Sequence, residues 1–117
     1  MRILFLGDVV GKSGCLAVTK NLPVLIKNKK IDFVIINGEN AADQGVGITE
    51  KISSDFFNSG ADVITTGNHV WDQKEALNYI DKENRLLRPE NLIYPSPGKG
   101  FEIFNTKNGY SPLFTRD

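Results

Sequence analysis

At 117 residues, with lysine plus arginine matching aspartate plus glutamate at 14 each, the chain has the size of one domain and no net field favouring nucleic acid or anionic lipid. A hydrophobic content of 40% excludes a disordered chain and fits a globular core that buries roughly two-thirds of the unfolded surface. The single cysteine, Cys15, excludes an internal disulfide and suits a reducing compartment. With no histidine near it in sequence, it reads as a small buried residue rather than a nucleophile.

The first apolar run, Ile3-Leu4-Phe5-Leu6, is broken at Asp8. It is too short for a signal peptide or a membrane span, so the expected location is the cytoplasm, with no membrane partner. A helical pattern follows from about Ser13 to Lys29, with Ser13 as its N-cap and Pro23 as a kink or restart. Lys27, Lys29 and Lys30 form the solvated end of that helix rather than a basic patch. Phe33-Val34-Ile35-Ile36 is a second apolar run. A second helix is predicted from Thr49 to about Ser59, with Ile52, Phe56 and Phe57 as its apolar stripe and Gly60 as its stop. Val63-Ile64 with its threonines is the third run. A third helix is predicted from Trp71 or Asp72 to Lys82, carrying Ala76, Leu77 and Ile80 inward. Runs that are continuous rather than alternating suit strands buried on both faces of a parallel sheet. The pattern of strand and helix therefore predicts an α/β fold, a largely parallel sheet with flanking helices, in which residues 2–7, 32–37 and 61–66 are adjacent parallel strands. Near the end, Phe101-Glu102-Ile103-Phe104 reads as a strand entering a hairpin turn at Asn108-Gly109. In place of a return strand stands "YSPLFTRD", interrupted by Pro112.

The three strands end alike. Gly7-Asp8 follows the first, Asn37-Gly38-Glu39-Asn40 the second and Gly67-Asn68-His69 the third. Ligands of open parallel sheets bind at the carboxyl ends of the strands. Asp8, Glu39, Asn40, Asn68 and His69 are thus delivered to one edge, His69 being the sole histidine. Singly, each is an ordinary turn-former or helix cap; together they point to a site.

Oxygen donors beside an imidazole suit divalent manganese, iron or zinc. Glu39 or Asp8 has the oxygens to bridge two cations about 3.5–4 Å apart. Without metal, two ionised carboxylates about 4 Å apart repel by roughly 4 kcal/mol at an effective dielectric near 20. Two divalent ions offset by Asp8, Glu39 and a bridging hydroxide leave about one positive charge, which matches a phosphodiester, and the hydroxide is the natural nucleophile. In an extended segment neighbouring side chains point to opposite sides, so Asn68 is free to ligate metal while His69 protonates the leaving oxygen.

The stretches "MRILFLGDVVGKSG", "DFVIINGENAADQGVGIT", "GADVITTGNHVWD" and "LLRPENLIYP" resemble the YmdB-type branch of the calcineurin-like metallophosphoesterases. The resemblance covers about residues 1–105. It implies the N-terminal half of a metallophosphoesterase α/β sandwich, with two divalent metal ions (iron or manganese, zinc next), Asp8 on one metal and Glu39 bridging. Asn40 and Asn68 match family ligand positions, and His69 matches the catalytic histidine. It also implies phosphodiesterase activity, with 2′,3′-cyclic nucleotides as the substrate class. Two departures stand out. Val10 occupies the position where the wider superfamily places a histidine, as it does in the YmdB branch. Family members also continue into a second half with three further histidine ligands, and no histidine follows His69 here. The expected organisation is therefore residues 1–105 as the N-terminal part of the domain and residues 106–117 as a divergent or truncated tail.

Competing readings start from other residues. "GDVVGKS" approaches a phosphate-binding P-loop, but it has three residues where that loop needs four, and Leu6 stands where the first glycine belongs. The non-enzyme alternative is an inactive remnant, or a module that binds metal or a partner without turnover. Arg88, in "LLRPEN", either approaches a substrate phosphate or makes an ion pair or turn contact. Trp71 reads as a packing anchor rather than a base-stacking platform. A homo-oligomer stays open.

Overall fold

The computed structural model describes residues 1–70, 73, 75–91 and 96–106, together with the backbone of 113–115. Strands β1 (Ile3–Leu6), β2 (Phe33–Asn37), β3 (Val63–Thr65) and β4 (Leu86–Leu87) form one parallel sheet in the order β1-β2-β3-β4. Ile3 pairs with Phe33, Ile35 with Val63 and Ile64 with Leu86. The α/β fold expected from the alternation of strands and helices is the fold observed. β4 was not foreseen; two leucines give no period by which to recognise a strand.

Strand order equals chain order, and right-handed crossovers then bring successive helices to the same face of the sheet. Helices α1 (Gly11–Lys29) and α2 (Glu50–Ser59) accordingly pack against each other. Beneath them Val34, Ile36, Ile64 and Leu86 join Leu22 and Phe56 in one buried cluster. The opposite face presents Phe33, Ile35, Val63 and Leu87, a smaller cluster against which Phe104 packs. Strand pleat explains the division, since successive side chains leave a strand on opposite sides. At β1 the same alternation leaves Leu4 and Leu6 against the helix-side cluster while Ile3 and Phe5 are 45% and 59% exposed.

Local chemistry sets the helix limits. Thr49 caps α2 as expected, its side chain accepting from the Ile52 amide at 3.2 Å, and Gly60 closes the other end. Ser13 does not cap α1. The helix begins at Gly11 (φ 65°), and its N-cap, Val10, has no side-chain bond. The loop after β2 does this work instead: the Asn40 carbonyl accepts from the Gly11 amide at 3.0 Å. α1 passes through Pro23 as one helix, without the restart allowed for. Its last turn carries Lys27 and Lys29, both exposed, as expected of a solvated C-terminus.

The third helix is much shorter than its pattern. α3 spans Ala76–Tyr79, and Ile80 to Lys82 form a turn in which Asp81 accepts a bond from the Gly98 amide. Ala76 and Ile80 are buried, but Leu77 is 41% exposed, because one residue of helical rotation takes it away from the face Ala76 and Ile80 share. The expected start at Trp71 or Asp72 lies outside the described residues.

The tail corrects another expectation. Strand β5 (Phe101–Ile103) pairs antiparallel with β6 (Leu113–Thr115), so a return strand is present. The ladder pairs Phe101 with Thr115 and Ile103 with Leu113; Pro112 lies outside the described residues. The predicted turn at Asn108-Gly109 lies outside the described residues. Among the described residues no helix is long and apolar enough to cross a membrane.

Candidate functional site

Because all four strands run parallel, the segments that follow them emerge at one edge. The first two are bonded together directly. The Val9 amide donates to the Asn37 carbonyl at 3.4 Å, and the Asn40 carboxamide donates to Oδ2 of Asp8 at 2.8 Å. The Asn37 side chain accepts from the Glu39 amide at 3.0 Å, which turns the chain sharply out of β2. The Gly38 amide donates to the Thr65 carbonyl at 2.9 Å, tying this turn to the end of β3. The loop then folds back on itself, the Glu39 carbonyl accepting from the Gly47 amide at 2.7 Å.

Glu39 is 8% exposed, and its carboxylate lies over Gly67. A Cβ at Gly67 would collide with the carboxylate carbon and both its oxygens, so only glycine permits the approach. This contact joins the β2 and β3 segments through chemistry-bearing atoms. Asp8, Glu39, Asn40 and Gly67 therefore form one assembly, with Asp8 exposed and Glu39 buried.

Asn68 and His69 follow immediately, but not in the extended segment expected. They sit in a turn closed by the Val70 amide donating to the Gly67 carbonyl at 3.0 Å, so strand alternation does not apply to them. Their surroundings still differ, Asn68 being exposed and His69 half-buried. Thr66, fully buried, holds the turn's base: its amide and hydroxyl both donate to the Leu87 carbonyl, at 3.1 and 2.7 Å.

Arg88 leaves β4 at the same edge. Its Nε donates to the Pro97 carbonyl at 2.9 Å and its Nη1 to the Pro89 carbonyl at 3.0 Å, the turn contact that was one of its two readings. Cys15 is half-buried, its Sγ donating to the Ala41 carbonyl at 3.1 Å. Burial pushes its thiol pKa above the ordinary value, and the charges of Asp43 and Asp55 push it further. A protonated thiol is a poor nucleophile, in keeping with the packing role.

The donor set tests the fit of a metal. Asp8, Glu39, Asn40 and Asn68 offer oxygen, the donor preferred by hard and borderline divalent cations. Among the described residues no group of three or more His, Cys, Asp or Glu is gathered to hold a metal ion. Asp8 and Glu39 are the two carboxylates among these oxygen donors. Thr66 and the two glutamines Gln44 and Gln73 were not singled out by sequence, nor was the Asn37 side chain as the group that shapes the turn. Gly67 stood in the stretch that ends the third strand, and its lack of a side chain is what admits the carboxylate.

A profile of the family described as "YmdB-like protein" matches residues 4–113. The chain belongs to the YmdB-like family. A 2′,3′-cyclic-nucleotide 2′-phosphodiesterase of Bacillus subtilis (strain 168) is 53% identical over 100 residues, covering 86% of this chain and 38% of the Bacillus protein. A crystal structure of a hypothetical protein from Thermus thermophilus superposes with a TM-score of 0.88 at 38% identity, covering 98% of this chain and 44% of that one. A novel phosphatase of Mycoplasma pneumoniae superposes with a TM-score of 0.79 at 35% identity, covering 87% of this chain and 37% of that one. The YmdB-like chain thus spans less than half the length of these relatives.

Proposed function

We propose that this YmdB-like chain supplies part of the site of a metal-dependent phosphodiesterase acting on 2′,3′-cyclic nucleotides. The observation that carries the reading is the joining of Asp8 to Asn40 at 2.8 Å beside the Glu39 carboxylate on Gly67, at the carboxyl edge of a parallel sheet. The substrate class is taken from the name of the Bacillus relative.

Asp8, Glu39, Asn40 and Asn68 would hold divalent metal, two ions as the resemblance to the metallophosphoesterases implies, with iron or manganese preferred. Bound metal neutralises the carboxylates and brings the pKa of water toward neutrality. The remaining work belongs to the side chains. Asn40 fixes the orientation of the Asp8 carboxylate. Gly67 lets the Glu39 carboxylate reach across to the β3 segment. His69 delivers a proton to the leaving oxygen of the opened cyclic phosphate, the general-acid role for which histidine is the commonest side chain.

A second reading, metal or partner binding without turnover, rests on the chain spanning only 38% of the length of the Bacillus phosphodiesterase. Two measurements separate the readings: manganese affinity by calorimetry and hydrolysis of a 2′,3′-cyclic nucleotide. Both are made on the chain alone and on the chain extended by the remaining part of the Bacillus relative. Binding by both proteins with hydrolysis by neither establishes the second reading. Where hydrolysis occurs, Asn68→Ala lowers metal affinity and rate together. His69→Ala keeps metal and loses about 10²–10⁴-fold in rate on a poor leaving group, but much less on an activated nitrophenolate. Equal loss on both leaving groups together with lost metal makes His69 a ligand and ends its role as acid.

A further inference from the structure

A cleft of about 360 Å³ opens beside the carboxyl edge, between the first turns of α1, the loop after β2 and the first half of α2. Its lining includes Lys12 and Leu16 from α1, Asp43 and Gln44 from the loop, Ile52 from α2, and Gln73. Three of its walls continue segments that carry a candidate site residue. Lys12 follows Asp8 into α1, Asp43 and Gln44 follow Asn40 in its loop, and Gln73 comes shortly after His69. We propose that this cleft receives the nucleobase of the substrate and prefers a base bearing an exocyclic amino group. The proposal rests on the cyclic-nucleotide reading above for its choice of ligand.

Size is the first argument. Small-molecule sites begin at about 300 Å³, so this cleft takes a nucleoside-sized ligand and not a longer nucleic acid. Charge is the second. The lining contributes Lys12 and Lys51 against Asp43 and Asp55, with Lys51 bonded to Asp55 at 2.9 Å. Such a balance gives no net attraction for a second phosphate and suits an uncharged, polar ring.

The hydrogen-bonding groups decide the rest. Gln73 Nε2 donates to the Val46 carbonyl at 3.2 Å and lies 3.3 Å from Gln44 Oε1, so the two carboxamides are held together. Carboxamides match base edges that both donate and accept. Asp43 is exposed and accepts only, which matches an exocyclic amine as carboxylates match the N4 amine of cytosine. Leu16 and Ile52 supply the apolar surface against which a ring lies. Uracil has no such amine and offers Asp43 only its single N3–H, one donor where an amine has two hydrogens.

Adenosine, cytidine and uridine, which contain no phosphate, are titrated into the whole chain and followed by calorimetry or by amide chemical shifts. Cytidine and adenosine are expected to bind at least tenfold more tightly than uridine, with shifts at Gln44 and Gln73. Leu16→Trp, made at an exposed position, fills the cleft and is expected to weaken cytidine at least tenfold while leaving manganese affinity unchanged. Gln44→Ala is a second variant with the same expected direction, for use should the tryptophan disturb the fold. Uridine binding equal to cytidine, cytidine affinity unaltered in the folded variants, or no nucleoside binding at all overturns the proposal. Nucleoside binding in the cleft without metal binding or hydrolysis leaves the cleft standing and removes the phosphodiesterase reading. Hydrolysis that ignores Leu16→Trp and the identity of the base does the reverse.

Discussion

On the helix-covered face of the sheet, Val34, Ile36, Ile64 and Leu86 disappear beneath α1 and α2 into a cluster that reaches from Val9 to Leu86. On the opposite face, Phe33, Ile35, Val63 and Leu87 are equally apolar but form a small cluster, with Phe104 packed against it and the ring of Phe33 6.1 Å away. At β1 that second face is open, Ile3 and Phe5 lying largely exposed beside neighbours that are buried. The comparison separates two properties that an apolar run confounds. ILFL and FVII both specify a strand, yet burial of the second face depends on what later segment arrives to cover it.

Three substitutions break or sharpen this contrast. Phe56, fully buried on the helix side, is expected to show the largest effect: Phe56→Ala destabilises by about 3–5 kcal/mol in urea unfolding, through lost burial and the cavity left behind. Phe104→Ala removes a half-buried ring from the opposite face, and the expected loss is smaller, about 1–2 kcal/mol. Equal losses at the two phenylalanines, measured by the same unfolding curves, mean that both faces are cores of one rank and cancel the distinction. Phe5→Ser tests the open part. Its effect on stability should stay within about 0.5 kcal/mol, because the ring is already 59% exposed, while self-association by light scattering should fall. A large destabilisation from Phe5→Ser means that the ring is covered in solution.

The same contrast shows which structure was legible in sequence. The first three strands, α2 with its Thr49 cap and the arrival of Asp8, Glu39 and the Asn68-His69 pair at one edge follow from apolar runs, turn residues and the rule for parallel sheets. What escaped depends on contacts distant in the chain. Ser13 is a good capping residue by type, but Gly11 finds the Asn40 carbonyl first. α3 carries helical spacing through Ile80, yet the chain leaves the helix at Tyr79 and Asp81 turns to the Gly98 amide. β4 is two leucines whose strand character comes from pairing with Ile64 and Thr65, with a further bridge from Leu87 to Lys99. At the site, residue types pointed to the carboxylates, but no spacing rule brings Asn40 onto Asp8 or Glu39 onto Gly67. Nor does sequence show that Gln44 and Gln73 meet.

The order β1-β2-β3-β4 has a bearing on how the chain assembles. Each strand after the first pairs with the one that precedes it in the chain, so no strand has to be inserted between two others already joined. Each of these three ladders closes a single strand-helix-strand segment, which keeps the entropy of loop closure low for each addition. During synthesis the sheet can therefore grow in one direction, by its newest edge, as each segment leaves the ribosome. The strand left at the starting edge is β1, whose outer row of amides and carbonyls has no partner strand among the described residues from first to last.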